Sequence, residues 1–411
     1  MAPEQATGVA FGRAMSGTVT IDEARSLILG RVQPLEAESV PLRCAGTRVL
    51  AGAASAALDL PPFPSSAMDG YAIRAADAPG PLPVVGRVAA GRPATRPLAA
   101  GEAMAIATGG VVPEGADTVV QIERVVHRDD RIEVPPDVAR GANVRLPGSD
   151  VVRGQPLVPA GVRLGPAHIG ALAAAGIVDL SCARRPLVRV VTTGTELREP
   201  GAALGLGEIY ESNGIMLEVA LARVGARVER LEPVADDETA HRRALADGLD
   251  ADVLVTSGGV SVGSHDLVRS VERELGVDEV FWGVAVRPGK PLSFGVRGRT
   301  LVFGLPGNPV SSLVAALLFV QPTLLALQGA SDPGPYWSSG RLAVPVPRTA
   351  ARDELVRVTL DRRDEDVLVT PVAGQESHMI ARAAAADALA LVPRGDGELA
   401  AGAAIRYLRL D

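Results

Sequence analysis

TSGGVSVGSHD, residues Thr256 to Asp266, follows the apolar run Val253-Leu254-Val255 and precedes Leu267, Val268, Val271 and Leu275. Those last four fall at helical spacing, so the stretch reads as strand, glycine turn and helix. Gly258, Gly259 and Gly263 let a ligand approach the backbone closely, and turn amides beside a helix N-terminus form an anion site. Asp266 stands at the helix mouth as a carboxylate open to a metal or a hydroxyl. The pattern has neither the Gly-Lys-Ser/Thr ending of a Walker loop nor a GxGxxG fingerprint. An ordinary strand-to-helix turn accounts for the same residues, so this segment alone leaves both readings open.

Working outward, Arg184-Arg185-Pro186 reads as a domain boundary, and the character of the chain changes after it. A strand at 187–192 leads into TTGTEL. A helix is expected from Asn213, as its N-cap, to about Val224, where Gly225 ends it. A strand near 227–234, a helix from Asp237 to about Leu249 and the strand at 252–257 follow. Strands alternating with helices predict a parallel sheet covered on both faces, with right-handed crossovers. Ligands of such sheets bind beyond the C-terminal strand ends. Thr193, Gly194 and Glu196 follow one such end, Asp236 and Asp237 a second, and Ser257, Gly258, Gly259, Ser261 and Gly263 a third. A strand expected at 279–286 runs into RPGKP and brings Arg287 and Lys290 to the same edge. After a hairpin turning at Arg297-Gly298 comes FGLPGNPVSS, where Pro306 and Gly307 precede Asn308 as N-cap, Pro309 as first helical residue and Ser311 in the first turn. Taken singly these are surface charges and connecting turns. Together, two helix mouths, two cations and several carboxylates at one edge suit an anion and a divalent ion.

The chain has 411 residues, enough for two to four domains. Its 41 Lys and Arg stand against 48 Asp and Glu, and aromatic residues make up 3%, which disfavours nucleic acid as a partner. Cys44 and Cys182 lack metal spacing and fit a reducing, cytoplasmic setting. His127, His168, His241, His265 and His378 show no paired-ligand spacing and read as structural or surface residues. No apolar core of a secretion signal is present near the start, and the run Leu313 to Leu327 is interrupted by Gln321 and Pro322. It reads as a buried helix, so no membrane is expected.

Thr20 and Glu23 form a capping box for a helix running to about Leu29. The proline-stiffened segment PPFPSSAMDGYAIR presents Ser65, Ser66 and Asp69 on a fixed loop. Residues 84 to 150 hold short β runs broken by Gly and Pro, with Thr108, Asp117 and Asp150 in turns. Helical spacing returns at 165–175. Beyond a linker at 331–335 come strand-like runs at 341–346, 354–360, 366–372, 387–392 and 403–410, with GQESHMIA between the third and fourth. The expected fold class is multidomain α/β: a central parallel-sheet domain, an inserted all-β module and a small C-terminal β domain. The expected division is 1–53 with 155–184 as a helical linking domain, 54–154 as the β module, 185–330 as the α/β domain and 331–411 as the C-terminal domain.

The segments PPFPSSAMDGYAIR, ATGGVVPEGADTVVQIE, NVRLPGSD, VVTTGTEL, TSGGVSVGSHD, RPGKP and FGLPGNPVS together resemble the molybdopterin molybdenumtransferases, the MoeA-like family that includes the E domain of gephyrin. They keep the family's order and extend the resemblance over roughly residues 20 to 410. The resemblance implies that adenylylated molybdopterin and molybdate enter, and that molybdenum cofactor and AMP leave, with Mg²⁺ assisting. It implies a cytoplasmic homodimer whose cleft is shared between subunits, and transient contact with the molybdopterin adenylyltransferase. Asp69, Thr108 and Asp150 match the family's positions on the β module; Glu196, Asp237 and Asp266 match the carboxylates at the sheet edge. Arg287, Lys290, Ser311 and Ser377 match positions associated with phosphate or molybdate, and Arg352 and Arg357 are further candidates for the same anion. The chain departs from the family at Pro64-Ser65, often Asp-Asn, at Thr195, often Asp, and at Arg287, where Lys is usual. Arg keeps the charge and replaces a point donor by a planar fork.

In the mechanism this implies, Glu196, Asp237 and Asp266 place Mg²⁺ on the phosphoanhydride and the turn amides of 257–264 hold phosphate oxygens. Lys290 and Arg287, with Ser311 and Ser377, hold molybdate. Two other classes remain open at this point: a non-catalytic cofactor-binding scaffold of the same fold, and a different nucleotide hydrolase built on the same sheet.

Overall fold

The structure is a computed structural model that describes residues 17–259, 267–363 and 366–411. Asp266, Ser261, Gly263 and His265, singled out in the sequence, lie outside the described residues.

The capping box forms as expected. Thr20 and Glu23 exchange backbone and side-chain hydrogen bonds at the start of α1 (Ile21–Leu29), whose buried Ile21, Ala24 and Ile28 join the core of the α/β part. The β module is a six-stranded sheet of β1 (Gly70–Ile73), β2 (Gly80–Val88), β3 (Ala103–Ile106), β4 (Thr118–Gln121), β5 (Val126–Arg128) and β6 (Arg131–Val134), in the order β4-β1-β3-β2-β6-β5. Alternation along β1 sends Tyr71 and Ile73 to one core and Ala72 to another, so both faces of the sheet are apolar. Next, α2 (Pro166–Ala174) packs near the antiparallel pair 37–41 and 179–183.

The central sheet contains β7 (Leu187–Thr192), β8 (Arg227–Arg230), β9 (Val253–Ser257), β10 (Asp278–Trp282), β11 (Ser293–Arg297) and β12 (Thr300–Leu305), in the order β8-β7-β9-β12-β11-β10. Strands β8, β7, β9 and β12 are parallel, and β11 is antiparallel to both β12 and β10. The hairpin expected at Arg297-Gly298 gives the parallel sheet its antiparallel edge, because that turn returns the chain directly beside itself. The helices are α3 (Asn213–Ala222), α4 (Glu238–Gly248), α5 (Leu267–Glu274) and α6 (Pro309–Leu327). Helix α6 is long and apolar enough to span a membrane, but 78% of its most apolar window is buried in the protein core. A π turn at Ala316–Val320 precedes Pro322 and accommodates the residue that lacks an amide.

One strand ends early. The expected strand 279–286 stops at Trp282, where Gly283 adopts φ 91° and turns the chain. Val284 then bridges Val19, and Val286–Arg287 pair in parallel with Asp353–Glu354 of the C-terminal part. That part is a closed sheet of β13 (Ser338–Leu342), β14 (Asp353–Arg363), β15 (Asp366–Pro371), β16 (Ala388–Val392) and β17 (Ala404–Arg409). Strand β14 pairs with both β15 and β16, which closes the barrel. A short helix α7 (Ile380–Ala384), unforeseen in the sequence, begins at the end of the GQESHMIA segment.

Candidate functional site

Beyond the C-terminal ends of β7, β9 and β12 lies a cleft of about 690 Å³, and a second hollow of about 440 Å³ adjoins it. Pro291, Pro306, Asn308 and His378 belong to both. The loops predicted to converge on one edge therefore do converge, and the edge continues onto the C-terminal barrel.

The larger hollow is built on backbone proximity. Gly258 and Gly259 have φ of 103° and 69°. A Cβ on Gly258 would stand 2.6 Å from Thr193 Oγ1 and 2.7 Å from Thr193 O, so only glycine lets β7 and β9 end this close together. Gly307 faces it: its own Cβ would lie 3.5 Å from Gly258 Cα. Thr193, buried, has a hydroxyl with no partner among the described residues. Gly194, Glu196, Asp236 and Glu211 complete this wall. Glu196 is exposed and its carboxylate folds over Gly194. Glu211 is buried, accepts from the Gly214 amide at 2.7 Å and pairs with Arg230 at 3.2 Å.

Asp237 behaves differently from its neighbour. It is the N-cap of α4, with Oδ1 accepting from the Ala240 amide at 2.8 Å, and it is Asp236, held by the Thr195 hydroxyl at 2.9 Å, that lines the cleft. Among the described residues no three His, Cys, Asp or Glu side chains gather as a metal cluster. Mg²⁺ needs only one or two carboxylates when substrate phosphates and waters supply its other oxygens. Glu196, beside Asp236 at the same wall, fits that requirement.

Asn213 departs from expectation. Ser212 occupies the N-cap position of α3 without a side-chain bond, while Asn213 is its first residue and donates through Nδ2 to Ser257 Oγ (3.0 Å) and Gly307 O (2.7 Å). Asn308 is the N-cap of α6 as predicted, yet its amide caps nothing: it donates to Ser377 Oγ at 2.8 Å. Val310 N donates to Ser377 O at 3.1 Å, so the helix mouth and the 374–379 loop are joined.

The smaller hollow is basic. Arg287, Lys290 and Arg352 line it with Ser311, Gln375, Glu376, Ser377 and His378. Arg287 is half exposed and 3.4 Å from the Glu354 carboxylate; Lys290 is exposed and has no ion-pair partner among the described residues. Arg357, expected to share in anion binding, is instead 1% exposed. Its guanidinium donates to the carbonyls of Gly374 (2.8 Å), Glu376 (3.0 Å) and Met379 (2.8 Å) and to Gln375 Oε1 (3.3 Å). β14 alternates its side chains, and position 357 points into the protein with Leu355 buried beside it. Burial pulls its pKa below the usual arginine value, with Glu376 opposing. With those carbonyls turned inward, the amides of residues 375 to 378 have no acceptor among the described residues.

Asp69 and Thr108 meet, since Asp69 Oδ1 accepts from the Thr108 amide at 2.8 Å. Neither they nor Asp150 line the cleft of the same chain. His378, read in the sequence as structural or surface, is exposed and lines both hollows, and Asn213, read as a cap, reaches the strand ends; the signals for these roles were their positions, one beside Ser377 and the other at the start of a helix over the strand ends.

Three family profiles match the chain in order: the MoeA N-terminal region (domain I and II) over residues 19–176, a probable molybdopterin binding domain over 189–326 and the MoeA C-terminal region (domain IV) over 339–410. The chain is 36% identical over 316 residues to the molybdopterin molybdenumtransferase of Haemophilus influenzae, covering 76% of this chain and 78% of that protein. It is 34% identical over 397 residues to molybdopterin molybdenumtransferase 2 of Mycobacterium tuberculosis, covering 93% and 97%. A crystal structure of a molybdopterin biosynthesis MoeA protein from Pyrococcus horikoshii superimposes with a TM-score of 0.75 at 28% identity, over 95% of this chain and 100% of that one. Extending over three quarters or more of the chain and of these relatives, this likeness means that the chain belongs to the molybdopterin molybdenumtransferase family.

Proposed function

We propose that this enzyme inserts molybdenum from molybdate into adenylylated molybdopterin, releasing AMP and forming molybdenum cofactor. The observation that carries the reading is one continuous cleft with two unlike halves. The half built from Thr193, Gly194, Ser257, Gly258, Gly259, Pro306 and Gly307 offers close backbone and hydroxyls to phosphate oxygens, with Glu196 and Asp236 beside them. The other half offers Lys290, Arg287, Ser311 and Ser377 to an oxyanion. A phosphoanhydride and a molybdate could therefore lie side by side.

Glu196 and Asp236 would hold Mg²⁺ from the cleft wall, with Asp266 as the family resemblance implies, Asp237 being engaged as the cap of α4. That ion, when bound, neutralises phosphate charge at the anhydride. The chain's own residues orient the substrate: the turn after β9 packs against phosphate oxygens, Thr193 supplies a buried hydroxyl, and Lys290 and Arg287 hold the incoming oxyanion by charge.

The homodimer belongs to the same proposal. Asp69, Thr108 and Asp150 would complete the cleft of a partner subunit, since they reach none in their own. Leu204, Leu206, Ile215 and Val219 are each exposed on α3 and the segment before it, apolar side chains that a second copy would cover. A cytoplasmic location, transient contact with the molybdopterin adenylyltransferase and the four-part division of the chain at residues 54, 155, 185 and 331 complete the reading.

The test is to incubate the protein with adenylylated molybdopterin, molybdate and Mg²⁺ and to measure active cofactor and AMP. Both products are expected in equal amounts. AMP without cofactor would indicate a hydrolase, and neither product a scaffold; either result overturns the proposal.

A further inference from the structure

We infer that Asn213 is a positioning residue for the transfer, a clamp that fixes the two substrate-facing loops against each other; the role in turnover rests on the transferase reading above. An Asn Nδ2 carries two protons, and both are used here, one on Ser257 Oγ at 3.0 Å and one on Gly307 O at 2.7 Å. Ser257 ends β9 directly before Gly258, and Gly307 lies between β12 and α6. One side chain on a third element therefore ties together the two turns that form the floor of the larger hollow.

The direction of the bond to Gly307 is determined. Ser257 Oγ and Ser312 Oγ lie 2.9 Å apart and both reach Pro306 O, at 3.3 and 2.7 Å, so each hydroxyl has an acceptor for its single proton without calling on Asn213. Gly307 O can only accept, so the Asn213 atom that reaches it is the NH₂, and the same nitrogen lies 3.0 Å from the Ser257 oxygen. Asn213 thus presents its NH₂ to both. The clamp itself is anchored away from the cleft, because Glu211 holds the Gly214 amide at the start of α3 and pairs with Arg230. Aspartate, which matches asparagine in shape, cannot donate and would set negative charge against the Gly307 carbonyl.

That contrast supplies the test. Asn213→Asp and Asn213→Ala are compared with the unaltered protein in cofactor and AMP formation and in amide hydrogen exchange. Turnover is expected to fall about tenfold in both, with Asp at least as impaired as Ala, because a small misplacement of the loops is costly. The KM for molybdate should stay within about twofold, since the cations lie in the other half of the cleft. The Gly258 amide, which donates to Leu305 O at 3.1 Å, should lose protection while α4 keeps its own. Aspartate at unaltered turnover beside an impaired alanine variant would mean packing alone and overturn the inference. So would unchanged exchange at Gly258, or loss of protection spread evenly through α4. Should the alanine variant not fold, Ser257→Ala removes one acceptor and reads the same exchange. If the unaltered protein forms neither product, the transferase reading fails while the exchange at Gly258 still decides the clamp.

Discussion

The two halves of the cleft present opposite chemistry to a ligand. The wall over β7, β9 and β12 carries Glu196, Glu211 and Asp236 and relies on glycine turns, whereas the wall shared with the barrel carries Arg287, Lys290 and Arg352. Backbone amides act at short range and only when the chain is folded tightly; cations act at longer range and tolerate looser loops. The difference teaches that the first half is limited by geometry and the second by charge. Substitutions that alter one quantity should leave the other half working.

The largest effect is expected where geometry is tightest. Gly258→Ala places a Cβ 2.6 Å from Thr193 Oγ1 in a backbone region that favours glycine. It should cost about 2 kcal/mol of stability and lower AMP release about a hundredfold. Molybdate binding, measured by calorimetry, should stay within about threefold. A parallel loss of molybdate affinity would break the distinction between the halves. Lys290→Ala addresses the other side: removal of a charged donor should raise the half-saturating molybdate concentration about thirtyfold. AMP release at saturating molybdate should recover to within about threefold of the unaltered protein. Failure to recover would place Lys290 in the phosphate half.

Arg357→Met tests whether the basic wall also depends on shape. Methionine leaves the carbonyls of Gly374, Glu376 and Met379 without their buried donor, at a cost of about 3 kcal/mol in denaturant unfolding. The loop carrying Ser377 loosens, and molybdate affinity should fall about tenfold. If affinity falls while stability is unchanged, Arg357 is a ligand and its burial in the unliganded chain is not its working position.

Much of this was legible beforehand, and the reasons differ by element. Periodicity and cap signals placed α1 from the Thr20 capping box to about Leu29, where it ends. Strand ends followed by Gly and Ser identified the loops around Thr193, Ser257 and Gly307, because a parallel sheet forces such loops to one edge. Side-chain assignments were less legible. Asp236 and Asp237 are adjacent and chemically alike, and only the helix start decides which one caps and which one faces the cleft. Arg357 reads as a free cation until the pairing of β14 turns it inward. Asn213 and Asn308 both read as caps, yet each bonds a distant loop, and nothing local encodes a partner 44 or 69 residues away.

The smallest effect is expected at Arg287, where the family resemblance implies lysine. The guanidinium is half exposed and 3.4 Å from Glu354, and an exposed pair of this kind contributes at most about 1 kcal/mol. The backbone at this position is fixed independently of the side chain, because Val286–Arg287 form a parallel ladder with Asp353–Glu354. A lysine there would keep a positive charge at the same place and lose only the planar fork. Arg287→Lys should therefore change the half-saturating molybdate concentration by no more than about threefold, with thermal stability unaltered. Arg287→Ala, which removes the charge itself, should exceed that change. If Lys proves as damaging as Ala, the fork geometry matters, and the basic half is governed by shape as strictly as the glycine half.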